Sequence, residues 1–87
     1  MKIQMTRSDW ENSGPYDSLF FCPGATMMTR IIGVQMVSMS STRYETKEGD
    51  DIYKTTDKFT TTEYDEAERR YNAGEEILFE TELIEPQ

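Results

Sequence analysis

The chain has 87 residues, 17 acidic against 9 basic and no histidine, for a formal charge of −8. That length holds a single domain, residues 1–87, with a modest core. The acidity disfavours direct contact with nucleic acid or anionic membranes, and the missing histidine removes Ser-His-Asp and Cys-His catalysis and histidine-bearing zinc sites.

Met1, Ile3 and Met5 alternate with Lys2, Gln4 and Thr6, which predicts a first strand with one face inward. Ser8 to Asn12 suits one helical turn capped by Ser8 and anchored by Trp10, and Ser13-Gly14-Pro15 then breaks the chain. Leu19-Phe20-Phe21-Cys22 is apolar enough for a buried strand, yet Pro23-Gly24 stops it at once, so residues 16–29 either contain a short strand or form a functional loop, with a core-covering segment pinned by Trp10, Phe20 and Phe21 the favoured reading. Cys22 is the only cysteine. It allows no internal disulfide, has no base beside it, and reads as a buried structural thiol in a protein whose default location is cytoplasmic.

From Arg30 to Glu45 the β-branched content of Ile31, Ile32, Val34 and Val37, running into Thr42 and Tyr44, predicts one long central strand. Gly33 and the out-of-phase pair Met36-Val37 suggest a bulge within it. Glu48-Gly49-Asp50 is a turn signal, and Ile52 to Thr56 the return strand of a hairpin.

Thr60 to Glu85 is the most legible stretch. A hydroxyl run followed by acids predicts a helix with its N-cap at Thr62 and Tyr64, Ala67 and Tyr71 on one face. Asp65 with Arg69 and Glu66 with Arg70 stand four apart, and Gly74 suits the left-handed position past the helix end. Ile77, Phe79, Thr81 and Leu83 then alternate with Glu76, Leu78, Glu80 and Glu82 as a last strand.

The expected architecture is α+β: a small antiparallel sheet of about four strands with one helix packed on one face. Its expected core is Ile3, Met5, Ile32, Val34, Met36, Tyr64, Ala67, Tyr71, Ile77, Phe79 and Leu83. No 18-residue apolar run exists for a membrane span, and the amino terminus lacks the apolar stretch of a signal peptide. Glycine-rich phosphate loops and the calcium-loop spacing are absent, so no cofactor and no metal is expected; Glu48, Asp50, Asp51 and Asp57 do not fit that loop.

The charge is regional. Four basic residues face three acidic ones up to Tyr44, and five face fourteen from Glu45 onward, balances of +1 and −9. Glu63, Asp65, Glu66 and Glu68 on the helix, then Glu75, Glu76, Glu80, Glu82 and Glu85, form a carboxylate array, of which the helix acids with Glu76, Glu80 and Glu82 are the expected contacts to a basic protein surface. Residues two apart on a strand are about 6.5–7 Å apart, comparable to phosphate spacing, so Glu80 and Glu82 make a nucleic-acid mimic conceivable. In size and charge the chain is similar to small acidic proteins of mobile genetic elements that inhibit nucleic-acid-handling enzymes. The expectation is a non-enzymatic binding protein that blocks or modulates a basic partner. The alternative is a self-associating module that dimerises through a sheet edge or through Met27 and Met28, placed beside the Pro-Gly break as an exposed apolar contact. A small-molecule site using Trp10, Tyr16 and Cys22 lacks converging polar groups.

Overall fold

A computed structural model of the chain describes residues 1–14 and 21–86. It contains β1 (Lys2–Gln4), α1 (Arg7–Glu11), α2 (Pro23–Ile32), β2 (Met36–Ser40), β3 (Arg43–Thr46), β4 (Ile52–Thr55), α3 (Thr61–Asn72) and β5 (Glu80–Ile84). The strands form one antiparallel sheet in the order β1-β5-β4-β3-β2. The class is α+β as expected; among the described residues there are five strands rather than about four and three helices, of which α1 is the turn expected at Ser8 to Asn12.

The extra strand and an extra helix come from one misread stretch. Pro23-Gly24 does not stop a strand; it starts α2, with proline at the first turn, where its missing N–H costs nothing. Gly24, Met27, Met28 and Ile31 recur at helical spacing, and Gly33 closes the helix at φ 90° in the left-handed region rather than making a bulge. A Cβ at Gly24 would run into the Tyr44 hydroxyl, so any larger residue there would force the buried Tyr44 side chain to shift. The expected long strand is therefore the end of α2 followed by a hairpin, β2 and β3, turning at Ser41-Thr42. Its irregularity lies between Ser38 and Ser40, not at Met36-Val37.

Other boundaries move by a residue or two. Thr6, not Ser8, caps α1: its hydroxyl accepts from the Asp9 amide at 3.3 Å while the Asp9 carboxylate accepts from the Thr6 amide at 2.9 Å. Thr60, not Thr62, caps α3, accepting from the Glu63 amide at 3.3 Å. Past the end of α3, Glu75 donates to the Arg70 carbonyl at 2.8 Å and Gly74 to that of Tyr71 at 3.2 Å, with Gly74 at φ 76° as expected. The Arg7 guanidinium then donates to the carbonyls of Tyr71 at 3.1 Å and Glu75 at 2.8 Å, over the Tyr71 ring.

The helices cover one sheet face. The core gathers Ile3, Met5, Trp10, Met27, Met28, Met36, Tyr44, Ala67, Ile77, Phe79 and Leu83. Ile77, Phe79, Thr81 and Leu83 all point inward as the alternation predicted, although regular pairing starts only at Glu80. Ile32, Tyr64 and Tyr71 pack half-buried against the core, whereas Val34 is exposed. Trp10 anchors α1, meeting Phe21 edge-on at 4.7 Å between ring centres. Leu19, Phe20 and Tyr16 lie outside the described residues. Cys22 is half-exposed just before α2 rather than buried.

Candidate protein-binding surface

The carboxylates of residues 63–82 do not form one surface. On α3, Glu66 accepts from Arg69 at 2.8 Å and from Arg70 at 2.9 Å, and both arginines also reach Glu75. Hydrogen bonding from Arg69, followed by its charge and that of Arg70, holds the Glu66 carboxyl well below the usual range, at about 2. Glu63 is drawn into the helix start, accepting from the Thr60 hydroxyl at 3.0 Å. Helical spacing puts Asp65 and Glu68 on the flank of α3 opposite Glu66 and Arg70.

Glu80 and Glu82 stand on the other side of the sheet. They alternate with the buried Thr81 and Leu83, so their side chains leave the face that α3 covers. There they share the open sheet face with Glu45 and with Lys2, Arg43 and Lys54: three acids and three bases. Lys2 lies directly across from Glu82, and Arg43 is 3.4 Å from Glu45. Glu82 also takes an ion pair from the amino terminus at 3.1 Å, so equal numbers of acids and bases leave this face mixed in charge rather than acidic. Glu76 is exposed in the connection ahead of β5.

A further group of acids lies at one end of the sheet. At the end of the sheet where β4 begins and β5 ends, Asp50, Asp51 and Glu85 line an open groove of about 510 Å³ together with Ile52, Ile84, Pro86 and Lys54. Thr46 shapes this end, its buried hydroxyl accepting from the amides of Asp50 at 3.0 Å and Asp51 at 3.3 Å. Sequence reasoning weighed Asp50 and Asp51 only as calcium ligands and missed the groove. The available signal was Ile52 and Ile84, apolar residues at outward strand positions. Among the described residues no group of three or more acidic or cysteine side chains is arranged to hold a metal ion, and no helix is long and apolar enough to cross a membrane.

The expected apolar contact at Met27 and Met28 is corrected: both are fully buried in α2, facing the sheet. They face inward because the Pro-Gly break opens a helix, whose inner stripe they occupy. No protein-family model, curated protein or solved structure matches this chain.

Proposed function

We propose that this chain is a small non-enzymatic binding protein that docks on a basic protein surface and blocks or modulates it. The observation that carries this reading is the regional balance of −9 from Glu45 onward, with Asp50, Asp51 and Glu85 lining one groove beside the exposed Ile52 and Ile84. Carboxylates beside exposed isoleucines offer a lysine or arginine side chain both its charge partner and a surface for its methylene stem. Proteins that handle nucleic acids carry such basic surfaces, which makes them the favoured partner class, met in a cytoplasmic setting that suits a lone reduced cysteine. The mixed charge around Glu80 and Glu82 assigns the strand carboxylates a smaller part than the groove.

Affinity capture from a cell lysate, at low and high salt and with DNA or RNA as competitor, tests the reading. The expected result is a basic protein that salt releases, nucleic acid competes away, and the D50K/D51K/E85K variant no longer retains, while E80K/E82K still does. Capture by the triple variant equal to that of the unmodified chain rejects the groove. Capture unchanged by salt rejects the electrostatic reading itself.

A further inference from the structure

We infer that the outer edge of β2 is a self-association surface, and that two copies of this chain pair there about a two-fold axis at Ser38. This goes beyond acidic docking and uses the opposite part of the charge pattern. Residues 31–42 contain no charge, in a chain whose residues are 30 % charged. Edge strands that must stay single are blunted by charge, proline, a bulge or a covering element. β2 carries no charge and no proline, and its irregularity and the contact with α2 leave the stretch around Ser38 open.

The ladder fixes which groups face outward. Lys47 donates to the Gln35 carbonyl at 3.0 Å, so Gln35 and, two residues on, Val37 turn their backbone groups toward β3. Met36 and Ser38 therefore turn theirs away, and the Met36 amide indeed donates outward, to the Thr29 hydroxyl at 3.0 Å. Ser38 is left as the central outward donor and acceptor, with no backbone partner on that side among the described residues. Antiparallel pairing with Ser38 opposite Ser38 of a second copy lets the two residues exchange both hydrogen bonds. The same register sets Val37 against Met39 of the copy. These are 41 % and 55 % exposed in the single chain, and each covers the other twice in the pair.

A second copy is the self-complementary occupant of such an edge, each chain supplying the strand the other lacks. Each chain carries −8, so two copies repel over most of their surface and meet without repulsion only where charge is absent. The irregularity between Ser38 and Ser40 ends the pairing after a few residues. The far edge of the sheet is not available to extend it: Arg30 donates to the Gln4 carbonyl of β1 at 2.7 Å, and Lys2 charges what remains. Pairing is therefore closed at two copies and does not grow into a filament.

Sedimentation equilibrium on the full chain across a concentration series, at low and high salt, tests the inference. A contact this small gives a weak dimer, below the size class of stable interfaces. The expected result is passage from monomer to dimer, strengthened by salt because screening relieves the repulsion between like-charged copies. V37K should raise the dissociation constant more than tenfold. S38P, which removes an amide that β3 does not use, should leave a folded monomer, with circular dichroism as the check; if it misfolds, V37K alone decides. Monomer up to about 1 mM, a dimer unaltered in V37K, or species larger than two copies overturns the inference. Acidic docking stands apart, since capture through Asp50, Asp51 and Glu85 weakens with salt whereas this pairing strengthens.

Discussion

Two arginine–carboxylate clusters in this molecule use the same chemistry and differ in where they sit. Asp9 is 2 % exposed, and its two oxygens accept from Arg30 at 2.9 and 3.0 Å. The same carboxylate closes the cap of α1, and Arg30 reaches on to the Gln4 carbonyl. One pair thus ties α1, α2 and the edge of β1 together. Glu66, Arg69, Arg70 and Glu75 form a denser set of contacts on α3, open to water. The contrast teaches that the count of ion pairs says little about stability: a charge removed from water depends on its partner, and an exposed one has solvent as a substitute.

The largest expected effect is at Arg30. R30M leaves the Asp9 carboxylate buried without its guanidinium and should cost about 2–4 kcal/mol in chemical denaturation, below the fully buried range because the Arg30 side chain is 42 % exposed. Adding D9N should recover part of that loss, since the orphaned charge is then gone. An R30M loss no greater than that of E66Q would break the comparison.

Arg7 is the intermediate case. Its guanidinium caps the end of α3 from α1, and R7A should cost about 1 kcal/mol, lowering the melting temperature by roughly 4–8 °C in a domain of this size.

Glu66 is the smallest case, and pH sharpens it. Its carboxyl titrates near 2 in the folded chain against an ordinary 4.5, so its contribution is present above the ordinary value and disappears as pH falls toward 2. Thermal melts of E66Q and the unmodified chain should differ slightly at neutral pH, converge in acid, and converge at neutral pH in about 1 M salt. A difference that survives high salt would show the cluster to be less solvated than its exposure indicates.

The carboxy-terminal half was legible because each local signal agreed with the fold. Hydroxyl cap, i to i+7 face, closing glycine and two-residue alternation all pointed the same way from Thr60 to Leu83. Around α2 they disagreed. Ile31 and Ile32 favour strands, and Pro-Gly reads as a break, but the tertiary core rewarded a helix whose stripe buries Met27 and Met28. The candidate surface was harder still. Helix and strand carboxylates adjacent in sequence fall on opposite faces of a sheet, and the groove joins Asp50 and Asp51 to Glu85, whose meeting depends on the β4–β5 pairing.

The sheet order has a consequence for how the chain is made. β5 lies between β1 and β4, with Ile3 across from Thr81. β1 therefore has no partner until nearly all of the intervening chain has been synthesised, and the last strand enters as an inner member of the sheet. Closing so long a loop before its contacts form slows folding. The β2–β3–β4 meander can pair early, and its uncharged outer edge is exposed for that whole interval.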